Sequence, residues 1–377
     1  MVRNPKHSML SPSTHDEHLR QQFVYALKSH IRFKVRPGNR LLYDKVVQPR
    51  FQKHQGRAPE SVQDISTEMW NEPGYQMFSA MNRCAQELMW ESLIDPIYRN
   101  APKLSAAYDQ AKQAPQSNGS VSLNPDLDIP KGIASVDIHL QPGGFAADYG
   151  DSDVLAGALH EAGTNLYSMS GGIGTGESKA EVIMRLLKER YPDFRPTKIL
   201  DFACSSGPSS TPWALAFPEA EVHAIDVGAA LLRYGHARAE ALNAKVHFHQ
   251  MDAAKTTFPD ESFDLVVSHN AMHEMSHAST TGMFKESFRV LKPGGIAIHQ
   301  DVPLRFDELD LFAQFDNSWD RENNGEPYWT VYATNDPRQM FLEAGFSDQA
   351  IWVGKYAQLD NTVKWFVSCA QKQADEK

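Results

Sequence analysis

Cysteines, long apolar runs and basic clusters are all scarce in this 377-residue chain, and each shortage excludes a class of protein. Cys84, Cys204 and Cys369 are too few and too widely spaced for a disulfide framework or a cysteine-based zinc site. No stretch approaches the roughly 18 consecutive apolar residues of a membrane-spanning helix, and residues 1–20 lack the apolar core of a secretory signal. We therefore expect a cytoplasmic protein without membrane insertion.

The charge balance argues against a nucleic-acid partner. The formal net charge is -10, and no dense tract of Lys and Arg offsets it, so the chain as a whole repels a polyanion. A hydrophobic fraction of 41% is typical of globular proteins, and the length allows more than one compact unit. We expect a small molecule as the partner, no nucleic acid, and leave a homodimer open.

The first part of the chain, residues 1–132, is predicted to be a mostly helical accessory region. Apolar residues recur at helical spacing in segments 16–31 and 77–94. Residues 113–132 are rich in Pro, Ser and Asn and lack periodicity, which is typical of a linker.

Two further regions follow the linker. Residues 133–196 are predicted to be a mixed cap segment, with turns at 141–144 and 170–176 and a helix over 177–191. In residues 197–377, short apolar runs alternate with helical stretches. That alternation predicts an α/β fold with a Rossmann-like, doubly wound sheet, because parallel strands need crossover helices and are buried on both faces.

Carboxylates and small residues stand at the ends of the predicted strands. The first strand runs into "DFACSSG" (201–207), the second ends at Asp226, and the third ends at Asp252. Open α/β sheets bind ligands at these strand ends, and a carboxylate about 20 residues after a glycine turn suits a ribose diol. The pattern predicts a nucleoside-shaped cleft, with solvated loop aspartates as the alternative.

Four segments of this region occur in the order and spacing of a known family: "ILDFACSSG", "VHAIDVG", "MDAAKTTFPDESFDLVVSH" and "RVLKPGG". Residues 198–302 resemble the class I S-adenosylmethionine-dependent methyltransferases, and most resemble the small-molecule branch with the ubiquinone/menaquinone-type enzymes. The resemblance implies S-adenosyl-L-methionine as the cofactor and methyl transfer to an oxygen or nitrogen atom of a small molecule. NAD is a weaker alternative, because "ACSSG" lacks the three-glycine fingerprint.

The resemblance also implies a cofactor site built from several strand ends. Its members are Asp201, Ala203, Ser205, Gly207, Asp226, Val227, Asp252 and Ala253, with His269 at its border. Asp201 and the turn after it would face the methionine part of the cofactor. Asp226 would hold the ribose hydroxyls, and Asp252 would meet the adenine amino group.

Two positions depart from the family pattern. Ala203 and Ser205 stand where the family usually has glycine, and a side chain there restricts positive φ and crowds a ligand. Ordinary backbone angles would make both residues tolerable. The alternative is a protein that binds S-adenosylmethionine without transferring its methyl group.

The histidines of "HNAMHEMSH" (269–277) are the candidate catalytic groups. We predict that His269 and His273 line the acceptor side of the pocket, since imidazole can take a proton from a hydroxyl or amine near neutral pH. The alternative is that both only pack around the adenosine. His277 is expected to face solvent.

The same stretch spells H-E-x-x-H, the signature of zinc proteases, which makes a zinc hydrolase a further alternative. That chemistry needs a regular helix and a third ligand, and the longer variant of the motif requires Gly and His where the chain has Thr280 and Met283. We therefore predict no metal site.

The helices that precede the sheet are predicted to form a cap over the cleft. Tyr149 and Tyr167 are the aromatic residues expected to close on the substrate, because cap segments often supply specificity on a rigid scaffold. Core or dimer contacts are the alternative.

Overall fold

A computed structural model describes residues 5–114, 116–167 and 177–374. The turn predicted at 170–176 lies outside these residues. Across the described ranges, we find no helix that combines the length and the apolar character needed to cross a membrane.

The N-terminal region is helical, as predicted. Thr14 caps the first helix, and its side chain and that of Glu17 form a reciprocal capping box with each other's backbone N–H groups. The helices are α1 (His15–His30), α2 (Pro37–Leu42), α3 (Gln48–Gln55), α4 (Val62–Met69) and α5 (Pro73–Gln113), with π-helical turns at Ile31–Val35 and Tyr43–Val47.

The buried face of α1 differs from the stripe that its apolar residues suggest. Leu19 and Phe23 are 53% and 62% exposed, whereas Val24 and Glu17 are buried. The Glu17 carboxylate accepts a hydrogen bond of 2.7 Å from Arg99 Nη2 of α5. An ion pair between the buried Glu17 and the half-exposed Arg99 of a neighbouring helix therefore helps select the face, which periodicity alone could not indicate.

Regular structure occurs both within the predicted linker, residues 113–132, and in the segment that follows it. Its elements are β1 (Ser120–Ser122), α6 (Lys131–Ala134), a 3-10 turn (Ile138–Leu140), α7 (Leu155–Tyr167) and α8 (Lys179–Arg190).

The remainder alternates strands and helices. The strands are β2 (Lys198–Phe202), β3 (Glu221–Asp226), β4 (His247–Gln250), β5 (Phe263–His269), β6 (Leu291–Asp301), β7 (Ile351–Ala357) and β8 (Lys364–Gln371). The helices are α9 (Ser210–Ala216), α10 (Ala229–Ala241), α11 (His277–Val290), α12 (Leu311–Asn317), α13 (Trp319–Asn323), α14 (Trp329–Thr334) and α15 (Pro337–Ala344). Three 3-10 turns complete the set, at Met272–Glu274, Phe306–Glu308 and Asp348–Ala350.

These strands form one sheet in the order β1-β4-β3-β2-β5-β6-β8-β7. Strands β1 to β6 pair in parallel, and β8 is antiparallel to both β6 and β7. The order reverses at β2, which lies between β3 and β5, so a crevice opens at the carboxyl ends of these three strands. This architecture confirms the predicted Rossmann-like α/β fold.

The sheet is buried on both faces, as parallel strands require. Along β2 the side chains alternate: Ile199 packs in the core on one face and Leu200 in the core on the other, and neither is exposed. The two layers hold the strand ends in fixed positions, which the site at the crevice requires.

The segment between β6 and α15 leaves the sheet and packs on the N-terminal helices. Phe312, Phe315 and Trp319 share a buried cluster with Tyr75 and Phe78 of α5. The boundaries at 132 and 196 remain predictions, but this packing shows that residues 197–377 do not all pack around the sheet.

Candidate active site

A cavity of about 1580 Å³ lies between the carboxyl ends of the strands and the N-terminal helices. Its lining includes nearly every residue predicted for the site: Asp201, Ala203, Ser205, Asp226, Val227, Asp252, Ala253, His269 and His273. Gly207 lies outside the lining, and a Cβ at this residue would meet the Phe248 ring at 3.0 Å. The fold thus brings these predicted residues together around one cavity. Gly207 instead packs behind the cavity wall.

The turn after β2 has a left-handed backbone at alternate residues. The φ angles are 52° at Ala203, 48° at Ser205 and 73° at Gly207. Residues other than glycine pay about 1–2 kcal/mol for such a conformation. The backbone is therefore the one that glycine adopts easily, and the ordinary angles that would make Ala203 and Ser205 neutral do not occur.

Hydrogen bonds to neighbouring strands maintain this strained turn. The Cys204 N–H donates to the Ile225 carbonyl at 2.9 Å, and the Ser205 N–H donates to Asp226 Oδ2 at 2.8 Å. Strained backbone persists where its surroundings determine it, and such positions cluster at functional sites.

The two buried carboxylates of the crevice differ in the hydrogen bonds that the protein donates to them. Asp226 accepts a second backbone hydrogen bond, from Gly228 N–H to Oδ1 at 2.9 Å. Asp201 Oδ2 accepts from Ser210 Oγ at 2.6 Å, whereas its Oδ1 is buried with no hydrogen-bond partner in the described ranges. Burial raises the pKa of Asp201 to about 7 and also raises the pKa of Asp226.

Asp252 lies just after strand β4, which ends at Gln250 rather than at the predicted Asp252. Its side chain is half-buried, and Oδ1 accepts a hydrogen bond from the Ala254 N–H at 2.8 Å. Ala253 beside it is buried at the cavity wall. The other carboxylate oxygen, Oδ2, remains available to a ligand.

His269 has both ring nitrogens engaged within the protein. Trp213 Nε1 donates to His269 Nε2 at 3.1 Å, and His269 Nδ1 lies 3.3 Å from Gln300 Oε1. Burial lowers its pKa to about 3, so the ring is neutral. This geometry favours the packing alternative for His269 over the catalytic one.

His273 has a different environment, dominated by two carboxylates. Its Nδ1 lies 2.6 Å from Asp301 Oδ1, and its Nε2 lies 3.3 Å from Glu274 Oε1. Burial lowers the pKa of His273, but Asp301 and Glu274 more than offset it and leave the pKa well above its ordinary value. Asp301 is held in turn by the Met272 and Val302 N–H groups, each at 2.7 Å.

A second histidine, which the sequence did not single out, joins this group. His139 Nε2 lies 2.8 Å from Glu274 Oε1, and His139 Nδ1 lies 2.9 Å from Glu326 Oε1. Burial opposes protonation of His139, but Glu326 and Glu274 raise its pKa to about 10. We call His139, His273 and Glu274 the histidine cluster; a lone histidine before "LQPGG" carries no local signal that could have revealed it.

The zinc-protease spelling does not occur on a helix. His273 lies in the 3-10 turn, Ser276 caps α11, and His277 is the first residue of that helix. His277 is exposed, as predicted, with Nδ1 2.8 Å from Asn335 Oδ1. The helical setting that the H-E-x-x-H motif requires is absent at residues 273–277.

Residues of the predicted cap helices line the cavity, whereas Tyr149 does not. Tyr25 of α1 and Trp90 of α5 line the cavity, as does Trp329 of α14. Tyr149 is 72% exposed and outside the lining, because Asp153 holds its N–H in a surface turn. The side chain of Tyr167 lies outside the described residues.

Residues 199–295 match the family described as "Methyltransferase domain". This segment of the chain is therefore similar to methyltransferase domains. The match covers the crevice strands β2 to β5 and confirms both the predicted resemblance and, for this domain, the predicted cofactor, S-adenosylmethionine.

Several curated proteins resemble the methyltransferase domain. An uncharacterized protein of Haemophilus influenzae is 32% identical over 109 residues, which are 28% of this chain and 43% of that protein. The ubiquinone/menaquinone biosynthesis C-methyltransferase UbiE of Neisseria meningitidis is 35% identical over 99 residues, 26% of this chain and 40% of that protein. The chain thus spans less than half the length of these relatives.

One similar solved structure is phosphoethanolamine N-methyltransferase 2 of Haemonchus contortus in complex with S-adenosyl-L-methionine. It shares 18% identity and a TM-score of 0.41, over 53% of this chain and 54% of that one. This similarity is too low to carry over a substrate.

The residues of the methyltransferase domain fit the cofactor. Asp201 Oδ1 is a buried acceptor without a protein partner that lines the cavity, and the cationic methionine end of S-adenosylmethionine would supply the missing donor. Asp226 retains lone pairs on both oxygens after its two backbone bonds, as a ribose diol requires.

Proposed function

We propose that the chain is an S-adenosylmethionine-dependent methyltransferase that acts on an oxygen or nitrogen atom of a small molecule. The observation that carries this proposal is the shared cavity: Asp201 and Asp226 line it together with His273 and Glu274. A cofactor held by the first pair and an acceptor held by the second would meet in one enclosed space.

On the cofactor side, each of three carboxylates would bind a different part of the cofactor. Asp201 would accept a hydrogen bond from the methionine amino group, Asp226 from the ribose hydroxyls and Asp252 from the adenine amino group. Asp201 and Asp226 lie near the ends of β2 and β3, and Asp252 follows the end of β4, so the parallel sheet fixes their separation.

On the acceptor side, the histidine cluster would bind and deprotonate the nucleophile. The acceptor atom attacks the methyl carbon, the electron pair of the C–S bond passes to sulfur, and S-adenosylhomocysteine leaves. The acceptor's proton must go to a nearby base. Glu274 Oε2 is buried at the cavity with no hydrogen-bond partner in the described part of the chain, which suits it to that role.

His273 would orient Glu274 rather than act as the base itself. Asp301 and Glu274 raise the pKa of His273 well above its ordinary value, which favours the protonated ring when no metal ion is bound. We expect His273→Gln to lower kcat by about 100-fold or more while changing cofactor affinity little. Equal losses in kcat and cofactor affinity would assign His273 to the scaffold instead.

The direct test uses S-adenosylmethionine with a deuterated methyl group and a small-molecule extract. We expect S-adenosylhomocysteine to form and mass spectrometry to find a metabolite carrying the labelled methyl. Asp226→Ala is the matched control and should lose both signals. Cofactor binding without S-adenosylhomocysteine above that control would favour the alternative of a binding protein that transfers nothing.

The small-molecule acceptor, a cytoplasmic location, the absence of a nucleic-acid partner and a homodimer are parts of the same proposal. The net charge of -10 and the enclosed cavity support a small molecule over a polyanion.

A further inference from the structure

Three potential metal ligands converge on the acceptor side of the cavity. One ligand atom from each of His139, His273 and Glu274 lies within 4.8 Å of the other two, and Glu274 Oε1 is 2.8 Å from His139 Nε2 and 3.3 Å from His273 Nε2. Around a metal ion with bonds of about 2.0–2.2 Å, neighbouring ligand atoms are about 2.8–3.6 Å apart. The spacing to Glu274 therefore matches two edges of a coordination polyhedron.

Both histidines have a carboxylate behind the ring. His273 Nδ1 faces Asp301 Oδ1 at 2.6 Å, and His139 Nδ1 faces Glu326 Oε1 at 2.9 Å. Metal-binding histidines almost always donate their second N–H to such a partner, which fixes the tautomer and directs the lone pair of Nε2 at the metal. His273 Nδ1 makes such a hydrogen bond, His139 Nδ1 has a carboxylate within 2.9 Å, and both Nε2 atoms approach the same carboxylate oxygen.

The backbone is strained where it presents His139. The φ angles are 55° at His139 and 59° at Leu140, which is costly for residues other than glycine. The His139 carbonyl is held from α5 by Trp90 Nε1 at 2.6 Å and Gln86 Nε2 at 2.8 Å. The fold thus enforces an unfavourable turn that brings one imidazole to the cavity.

The loop that carries Glu326 approaches this turn closely. At Gly325, φ is 67°, and a Cβ would lie 2.4 Å from the Asp137 carbonyl oxygen. Asn324 Nδ2 donates to Glu326 Oε1 at 2.6 Å and orients the carboxylate behind His139.

Two buried carboxylate oxygens near the cluster have no hydrogen-bond donor. Glu274 Oε2 and Glu326 Oε2 are both buried without a partner in the described residues. Their residues are only 8% and 0% exposed. Buried carboxylates are normally paired or bind metals, because an uncompensated charge is costly.

We propose that His139, His273 and Glu274 bind a divalent first-row transition-metal ion, with open positions facing the cavity. Two imidazoles and one carboxylate suit Zn²⁺ or Fe²⁺, whereas Mg²⁺ and Ca²⁺ prefer oxygen ligands only. This proposal replaces the sequence prediction of no metal site. It also differs from the zinc-protease motif, because His139 takes the place of His277.

The test is a metal titration of the full-length chain after treatment with a chelator. We expect Co²⁺ to bind at one ion per chain, with visible d–d absorption that Zn²⁺ abolishes by displacement. His139→Gln and His273→Gln should weaken binding at least tenfold. His277→Gln is the matched control and should bind as the wild type does, since its histidine is exposed and outside the cluster.

Glu326→Gln provides a variant that keeps all three ligands if the histidine variants fail to fold. Loss of a carboxylate behind a metal-binding histidine typically costs 10–100-fold in metal affinity, and we expect a loss in that range. The proposal is overturned if wild-type protein takes up neither Co²⁺ nor Zn²⁺, if Glu326→Gln binds as tightly as the wild type, or if only His277→Gln abolishes binding.

The titration needs no S-adenosylmethionine, so its outcome is separable from that of the proposed function. If metal binds but calorimetry finds no cofactor binding, the metal site stands and the methyltransferase proposal fails. If S-adenosylhomocysteine forms and metal does not bind, the methyltransferase proposal stands and the metal site fails.

Discussion

The affinity for S-adenosylmethionine should strengthen as pH rises through about 7, because Asp201 must ionise to attract the methionine end. Burial raises its pKa to about 7, and among the described residues Ser210 is the one hydrogen-bond donor to it. With that pKa, about 3% of the carboxyl is ionised at about pH 5.5 and about 75% at about pH 7.5. If only the ionised form binds well, affinity changes by about 25-fold, or about 2 kcal/mol.

The assay is isothermal titration calorimetry with S-adenosylmethionine at several pH values in that range. Asp201→Asn is the control, since the amide keeps an acceptor for Ser210 but cannot ionise. We expect weaker binding by this variant at the upper pH and a flatter pH dependence. An affinity that is independent of pH in the wild type, or a dependence that persists unchanged in Asp201→Asn, would refute the reasoning.

The same carboxyl should influence folding of the cofactor-free protein, with a definite sign. A carboxyl whose pKa is raised on folding contributes stability at low pH, and that contribution disappears as pH rises from about 4 to about 7, because the folded state binds the extra proton. The slope is about 1.4 kcal/mol per pH unit for one group. Asp201→Asn should therefore gain stability relative to the wild type as pH rises, measured by urea denaturation.

Three further substitutions test other parts of the structure. Asp226→Ala removes the proposed ribose acceptor and should weaken cofactor binding by about 10-fold to 100-fold in calorimetry; unchanged affinity would contradict the assigned register. Ala203→Gly relieves a left-handed residue and should raise the free energy of unfolding by up to about 1 kcal/mol, after the entropy cost of glycine is subtracted; a loss of stability would mean that the turn is not strained. The buried Arg238 Nε lies 2.9 Å from Glu161 Oε1. Glu161→Gln removes this counter-charge and should lower the free energy of unfolding by about 3 kcal/mol in urea denaturation. A decrease below about 1 kcal/mol would show that solvent compensates the charge of Arg238.

The sheet could largely be predicted because its buried strands are short apolar runs between turn signals. The second strand was predicted to end at Asp226, and the observed strand β3 ends at that residue. Strand β7 escaped prediction because it is half-exposed at the sheet edge and contains Gly354 and Lys355, which weaken the apolar pattern. Strand β1 escaped because three residues inside a polar segment are too few for periodicity.

The two sides of the site also differed in how far the sequence could predict their residues. The cofactor side lies at the ends of successive strands, so the distance from the glycine turn predicted the role of Asp226, and the family resemblance implied the roles of Asp201 and Asp252. The acceptor side combines His139, His273 and Glu326, which are far apart in the chain and meet only through the tertiary fold. No local pattern distinguishes such residues from ordinary polar ones, which is why His139 and Glu326 were missed.

A crystal structure with S-adenosylhomocysteine bound tests the central claim most directly. The account predicts the ribose hydroxyls on Asp226, the adenine beside Asp252 and Ala253, and the sulfur directed at the histidine cluster. A ligand bound elsewhere, or a cavity that stays empty at saturating concentration, would contradict it.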